Sequence, residues 1–263
     1  MPRPRAVERR RQAPLRLLLT CEHGGNRVPE RYRRLFAGRA RLLASHRGLD
    51  IGALDLARGL GRRLDVPLVA ATVTRLLVDL NRSIGHPGLF SAPSRSLPAA
   101  GRERVLSCHY HPYRRLVHGW IASRVSRGER VLHISVHSFT PVLDGERRNA
   151  DIGLLYDPAR VAEATLCRAW QQELSACAAG WRVRRNYPYR GTGDGQVVEL
   201  RRRFAGGCYL GIELEVNQAC LQEPARAATL LADLARTLPA GDGAPSRAAA
   251  GGRASAVERA AAG

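Results

Sequence analysis

Two histidines and one glutamate stand where predicted strands end, and together they could hold a metal ion and move a proton. His23 follows a short apolar run, in the stretch CEHGGN, and His137 closes the strand-like run VLHISVHS. Glu215 lies in IELEVNQ, where alternation places it on one strand face with Glu213 and Asn217. Zn²⁺ takes imidazole nitrogens and carboxylate oxygens as ligands and leaves a position for water, whose proton a further carboxylate can accept. The set predicts a hydrolytic zinc site.

The third metal ligand is less well defined by the sequence than the two histidines. Asp50 opens a helix-like stretch, DIGALDLARGLGRRL, so it is placed to cap that helix. It could instead project an oxygen toward the histidines. Glu22 and Asn26, which flank His23, are the alternatives.

The elements that must position these residues alternate along the chain. Such alternation predicts an α/β sandwich with a mixed, largely parallel sheet, whose ligands gather where strands end. Residues 82–104 carry Pro, Gly and Ser and are predicted to form a long loop. The predicted strands are Leu15–Cys21, Pro67–Val73, Arg75–Leu80, Val131–Ser138, Asp151–Tyr156 and the run that contains Glu215; the predicted helices are Asp50–Leu64, Tyr110–Val125, Arg160–Ala178 and about Glu223–Thr237.

The two ends of the 263-residue chain differ in composition from its middle. Residues 1–14 form a basic segment, and residues 240–263 are rich in Ala, Gly, Ser and Arg, so both are predicted to be disordered. One catalytic domain is expected over residues 15–239. The sequence has no apolar run long enough to span a membrane and no apolar segment behind the basic N-terminus, so we expect a cytoplasmic protein without a membrane partner.

The formal net charge of +19 raises the question of nucleic-acid binding. All 42 basic residues are arginines scattered along the chain, and aromatic residues make up only 5%, which leaves few platforms for base stacking. No dedicated nucleic-acid function is therefore expected. A polyanion-binding protein remains the rival hypothesis of a different class.

Eight stretches of the sequence resemble the N-formylglutamate amidohydrolase family. The resemblance implies an α/β/α fold of the phosphorylase/hydrolase type, which zinc carboxypeptidases share, and metal-dependent hydrolysis of an N-acyl amino acid such as N-formyl-L-glutamate. The stretches are TCEHGGNRVP, HRGLDIGA, RLLVDLNRS, HYHPYR, SVHSFTP, DIGLLYD, NYPYRG and GIELEVNQ, and they cover nearly the whole predicted domain in order.

The resemblance also implies roles for single residues. His23 and His137 match the two histidine ligands, Asp50 matches an acidic residue that opens a helix, and Glu215 matches the general base. Glu213 has no counterpart in the usual family pattern. The chain departs from the His-x-x-Glu pattern of carboxypeptidases because position 26 is Asn, which leaves the third ligand open.

A substrate of this family carries a carboxylate, which a planar guanidinium binds with two hydrogen bonds. Arg82, just past a predicted strand, is the best candidate, and Arg75 could instead pair with Asp79. Asn81 could contact substrate or, with Asp79, support its loop. The full predicted substrate-binding set is Arg82, Asn81, Arg75, Arg148, Arg190 and Asn217.

The sequence thus favours a zinc-dependent amidohydrolase acting on a small carboxylate-bearing substrate. An amidase or peptidase acting on another N-acyl or peptide-like substrate is the nearest alternative. The sequence does not determine the oligomeric state.

Overall fold

A computed structural model describes residues 13–204 and 207–238. The predicted tail, and the predicted arm apart from its last two residues, lie outside the described part. Six strands form the central sheet in the order β2-β1-β3-β8-β6-β7, and two short strands, β4 and β5, form a separate antiparallel ribbon. The strands are β1 Leu15–Cys21, β2 Leu68–Ala70, β3 Arg130–Phe139, β4 Val142–Leu143, β5 Glu146–Arg147, β6 Ile152–Leu155, β7 Val183–Arg185 and β8 Tyr209–Asn217.

The sheet is mixed and mostly parallel, as predicted. Strands β2, β1, β3 and β8 are parallel to one another, β6 runs antiparallel to β8, and β7 is parallel to β6. Parallel strands are buried on both faces, which explains why β1 reads as a nearly continuous apolar run. The predicted α/β fold is confirmed.

Helices cover both faces of the sheet and enclose two apolar cores. The helices are α1 Ala40–Leu43, α2 Ala53–Leu64, α3 Ala92–Arg95, α4 Ala99–Val105, α5 His111–Ser126, α6 Val161–Ser175, α7 Gln196–Arg203, α8 Ala219–Gln222 and α9 Pro224–Thr237, with a π turn at Leu106–Tyr110 before α5. Helices α2, α6 and α9 pack on one face, while α5 and α7 lie on the other together with a 3₁₀ segment, Glu30–Phe36.

Strand β3 is buried along nearly its whole length and presents unlike side chains to the two layers. Leu132, Ile134 and Val136 enter one apolar core. The alternate positions, from His133 through Ser135 to His137, are polar and face the other layer. In the register with β8, His137 lies beside Glu215, so the sheet itself brings these two predicted site residues together.

The predicted strand Arg75–Leu80 is wrong, because this run forms consecutive turns. The Thr74 hydroxyl accepts a hydrogen bond from the Leu76 amide and donates one to the Gly48 carbonyl, which stabilises a turn. Leu77 and Leu80 are buried without joining the sheet. An apolar run can therefore be buried by a turn as well as by a strand, and periodicity does not separate the two.

The predicted loop over residues 82–104 is also only partly correct, since α3 and the first residues of α4 lie within it. Pro93 in the first turn of α3 and Pro98 before α4 are the reason, because proline is compatible with a helix start and incompatible with a helix interior.

Asp50 does not cap α2, contrary to the first interpretation of its position. Gly52 occupies the N-cap with a left-handed backbone (φ 80°), and no side chain makes the capping hydrogen bond. A side chain at position 52 would also approach Leu221 to 2.9 Å. The turn before α2 therefore leaves the Asp50 carboxylate free to face the end of the sheet.

Within the described residues, none of the helices combines the length and apolar character needed to cross a membrane.

Candidate active site

The candidate site lies at the carboxyl ends of β1, β3 and β8, where three chain segments deliver polar side chains. His23 follows β1, while His137 and Glu215 lie near the carboxyl ends of β3 and β8. Asp50 comes from the loop before α2, and its amide donates a hydrogen bond to the His23 carbonyl at 2.9 Å. Parallel strands end at the same edge, so residues far apart in sequence meet there.

His23, Asp50 and His137 form a cluster that could hold a metal ion. One ligand atom from each residue lies within 4.8 Å of the other two, and all three residues are buried. Asp50 Oδ2 is 2.8 Å from His137 Nδ1 and 3.3 Å from His23 Nδ1. Two imidazole nitrogens and one carboxylate oxygen are a donor set that suits zinc, with a coordination position left over. The predicted trio is thus brought together in space.

Of the alternative third ligands, Glu22 is not part of this cluster, and Asn26 is exposed. Glu22 Oε2 lies 3.3 Å from His137 Nε2, the ring nitrogen opposite to the one that faces Asp50. Glu22 therefore contacts the histidine from behind. Its carboxylate also accepts hydrogen bonds from Tyr113 (2.9 Å) and Ser135 (2.6 Å).

The charge balance around the trio favours a bound cation. Apart from the exposed Arg47 and from Glu213, which Asn81 binds, the described residues at this edge supply four carboxylates, Glu22, Asp50, Asp79 and Glu215, and one guanidinium, Arg75. With every carboxylate ionised and both histidines neutral, three negative charges are left without compensation. Buried charge of one sign is costly unless it is paired or coordinates a metal.

The histidine pKa values report the same imbalance. Burial acts to lower the pKa of His137, but hydrogen bonds with Asp50 and Glu22 outweigh it and raise that pKa well above the usual value. Burial and Arg75 act to lower the pKa of His23, yet Asp79 and Asp50 raise it overall. The site therefore attracts positive charge, either as protons or as a metal ion.

Glu215 differs from the other carboxylates because it is buried without a full set of partners. Its Oε2 atom has no hydrogen-bond partner among the described residues, and burial raises the pKa of Glu215 to about 7. Gly153 on β6 lies opposite, where a side chain would come within 2.0 Å of the Tyr187 carbonyl oxygen. An unpartnered buried carboxylate next to a metal-type cluster has the properties of a general base.

Glu213, two residues earlier on the same strand face, lies in a different environment. Its Oε1 accepts a hydrogen bond from Asn81 Nδ2 at 3.2 Å. Asn81 Oδ1 in turn accepts one from the Gln196 amide at 2.8 Å. Glu213 and Asn81 thus join the β8 strand to the loops beside the site.

A cavity of 280 Å³ opens onto Asp50. Two guanidinium groups, from Arg47 and Arg75, belong to its lining. Arg75 donates to Asp79 Oδ2 (2.7 Å) and Asp50 Oδ1 (3.2 Å), so it is engaged within the site. Arg47 is exposed at the cavity. The other lining residues are His46, Leu76, Ser138, Thr140, Leu143 and Tyr189.

The remaining residues of the predicted substrate-binding set do not line this cavity. Arg82 donates to the Asp194 carbonyl at 2.8 Å, which fixes a neighbouring loop. Arg148 stacks on Tyr189 and donates to its hydroxyl at 3.0 Å, so it reaches the rim indirectly. Arg190 is exposed, and the Asn217 side-chain amide donates to the Ala150 carbonyl at 2.8 Å. Their contact with substrate stays a prediction.

Sequence reasoning missed Arg47 and undervalued Asp79. Arg47 lies in the motif HRGLDIGA, three residues before Asp50. The motif was recognised, but no role was given to Arg47. Asp79 was expected to support a loop, but its Oδ1 lies 2.7 Å from His23 Nε2. Both residues lie close in sequence to residues already assigned to the site, since Arg47 is three residues before Asp50 and Asp79 is two before Asn81. This short separation is the signal that could have identified them.

Comparisons with known proteins show the family and the fold of the chain. A family model described as N-formylglutamate amidohydrolase matches residues 15–221. Among solved structures, gene product Atu2144 from Agrobacterium tumefaciens is similar at 30% sequence identity, with a TM-score of 0.74 over 87% of this chain and 91% of that one. N-formylglutamate amidohydrolase from Ralstonia eutropha JMP134 shares the fold at 19% identity, with a TM-score of 0.64 over 86% and 92% of the two chains. No curated protein matches the sequence significantly.

The family model, which matches most of the chain, defines it as a hydrolase of the amidohydrolase type. It belongs to the N-formylglutamate amidohydrolase family.

Proposed function

We propose that this protein is a zinc-dependent amidohydrolase that cleaves the amide bond of a small N-acyl amino acid such as N-formyl-L-glutamate. The observation that carries the proposal is the convergence of His23, Asp50 and His137 beside the unpartnered carboxylate of Glu215. The three residues would hold the metal. When bound, zinc would supply Lewis acidity toward the amide carbonyl and lower the pKa of a water molecule.

Glu215 would handle the protons of the reaction. Its ionised carboxylate would accept a proton from the attacking water and would then donate it to the departing amine nitrogen. Burial favours this role, because it raises the pKa of Glu215 in the metal-free chain to about 7 and so makes its carboxylate a better proton acceptor than an exposed glutamate. The rate is then expected to fall as the pH drops and Glu215 becomes protonated.

The cavity indicates where the rest of the substrate would lie. Its volume of 280 Å³ is at or below the lower end for ligand pockets, which favours a substrate of amino-acid size. Arg47 would bind the substrate carboxylate, because its guanidinium is exposed at the cavity while Arg75 is engaged by Asp79 and Asp50. The hydroxyl groups of Thr140 and Tyr189 would orient the polar end of the substrate.

The direct test of this function is an assay with metal analysis. Protein purified without added zinc is expected to contain one divalent metal ion per chain and to release formate from N-formyl-L-glutamate. A panel of N-acetyl, N-succinyl and longer N-acyl amino acids would rank the acyl groups. Hydrolysis of none of these compounds by metal-loaded protein would contradict the proposal.

Replacement of Arg47 by glutamine is expected to raise KM for N-formyl-L-glutamate and to leave kcat little changed. A charge-assisted hydrogen bond contributes about 1.5–3 kcal/mol, so kcat/KM should fall about 10- to 100-fold. The comparison is steady-state kinetics with N-formyl-L-glutamate and with its uncharged diamide.

Arg82→Gln is the matched variant for this measurement, since Arg82 contacts the Asp194 carbonyl and does not line the cavity. Its effect is expected to be similar for the charged and uncharged substrates. A charge-dependent loss in Arg82→Gln and none in Arg47→Gln would transfer the role to Arg82.

A further inference from the structure

The two histidines of the cluster use their ring nitrogens in the same way. In each ring Nδ1 faces Asp50 Oδ2, at 3.3 Å for His23 and 2.8 Å for His137. In each ring Nε2 points away from Asp50 and meets an acceptor. Groups outside the metal-type trio therefore determine the orientation of both rings through contacts with the Nε2 atoms.

Behind His23 the acceptor is Asp79. His23 Nε2 lies 2.7 Å from Asp79 Oδ1, and an ionised carboxylate can only accept, so with a metal bound at Nδ1 the ring proton must be on Nε2. Asp79 is itself held in place, because Arg75 Nη2 donates to its Oδ2 at 2.7 Å and the Asn81 backbone amide donates to its Oδ1 at 2.9 Å. These contacts fix both the position and the charge of the carboxylate.

Behind His137 the acceptor is the hydroxyl of Ser135. Ser135 Oγ donates to Glu22 Oε2 at 2.6 Å and lies 2.8 Å from His137 Nε2. A hydroxyl has one proton, and Ser135 gives it to the carboxylate, so its contact with His137 must be that of an acceptor. Tyr113 and Gln196 hold the other Glu22 oxygen, at 2.9 Å and 3.3 Å.

We propose that Asp79 and the Ser135–Glu22 pair are positioning residues that keep both histidines protonated at Nε2, so that each presents the Nδ1 lone pair to the metal. The proposal rests on the metal site of the proposed function. Groups that hold a ligating histidine in this way fix its tautomer and raise its basicity, and their loss weakens metal binding about 10- to 100-fold. Glu22 therefore acts on His137 from the Nε2 side, both through Ser135 and by its own contact at 3.3 Å, and is not itself a ligand.

The first test is zinc affinity, measured without substrate by competition with a chromophoric chelator. Asp79→Asn and Ser135→Ala are each expected to weaken zinc binding 10- to 100-fold. Asp151→Asn is the matched control, because Asp151 is as buried as Asp79 (4% and 5% exposed) and is likewise bound by an arginine, Arg182, but contacts no histidine. Its zinc affinity should equal that of the wild-type chain, and equal losses in all three variants would contradict the proposal.

The second test requires no variant. Long-range ¹H–¹⁵N spectra of the zinc-loaded wild-type protein should show Nε2 protonated and Nδ1 bound to metal in both histidines. Protonated Nδ1 in either ring would overturn the assignment, as would unchanged zinc affinity in both Asp79→Asn and Ser135→Ala. Neither measurement depends on turnover, so a chain that binds zinc through Nδ1 but does not hydrolyse N-formyl-L-glutamate would contradict the proposed function and leave this inference intact.

Discussion

Glu215→Gln is expected to abolish most of the hydrolytic activity while the protein stays folded and keeps its metal. Glutamine has nearly the same shape as glutamate but cannot accept a proton from water at neutral pH. General acid–base catalysis contributes about 10²- to 10⁴-fold, so kcat should fall by a factor in that range with little change in KM. The measurement is steady-state hydrolysis of N-formyl-L-glutamate, with metal content and circular dichroism determined on the same samples.

Glu213→Gln is the natural control for this experiment. Glu213 lies on the same strand and the same face, but its carboxylate accepts a hydrogen bond from Asn81, which a glutamine oxygen can also accept. A much smaller loss of kcat is expected than for Glu215→Gln. If the two variants lose activity equally, or if Glu215→Gln retains full turnover, Glu215 is not the base.

Glu215→Gln is also expected to raise the free energy of unfolding of the metal-free chain near neutral pH. Burial raises the Glu215 pKa from 4.5 to about 7, so the ionised form is disfavoured in the folded, metal-free chain. Above pH 4.5 the unfolded chain releases this proton more readily than the folded one, and the free energy of unfolding of the wild type falls until about pH 7. A shift of this size is about 3 kcal/mol at most, and Glu215→Gln should remove that loss. An active-site group that lowers stability in this way is a common cost of function.

Asp50→Ala is expected to weaken metal binding strongly and, with it, to lower activity. Asp50 Oδ2 is the atom that both histidine Nδ1 atoms face. Structural zinc sites with four ligands bind with about 10–16 kcal/mol, so one ligand contributes about 3–4 kcal/mol and its removal should weaken binding about 10²- to 10³-fold. Zinc affinity and kcat would be measured on the same preparation, with and without excess zinc.

Asp55→Ala controls for the location of Asp50 near a helix start. Asp55 lies in the first turn of α2 but is exposed to solvent, so its removal should change neither metal content nor kcat. If Asp50 served only to support the helix, Asp50→Ala would cost about 1 kcal/mol of stability and would leave stoichiometric zinc in place. That outcome would exclude Asp50 as a ligand.

Arg82 shows how far sequence could predict the substrate-binding side of the site. It stands just past the run RLLVDL, which was taken as a strand, so a position at the active edge followed from that assignment. The run forms turns, and Arg82 reaches the Asp194 carbonyl, while Arg75 from the same run binds Asp50 and Asp79. Because Arg75–Leu80 is not a strand, the expected position of Arg82 at the active edge no longer follows.

The sequence by itself determined the α/β architecture and placed three candidate site residues, His23, His137 and Glu215, at strand ends, because these features depend on local patterns. Apolar runs and their alternation define β1, β3 and β8, and the polar residue at each strand end follows from the period of two. The tertiary structure alone decided that Asp50 meets both histidines, that Asp79 and Ser135 hold the rings from behind, and that Arg47 lines the cavity. Apart from Ser135, these side chains lie on turns. The paths of the turns are set by long-range contacts, such as the hydrogen bond from Thr74 to the Gly48 carbonyl. A sequence pattern within one segment does not encode where two such turns will meet.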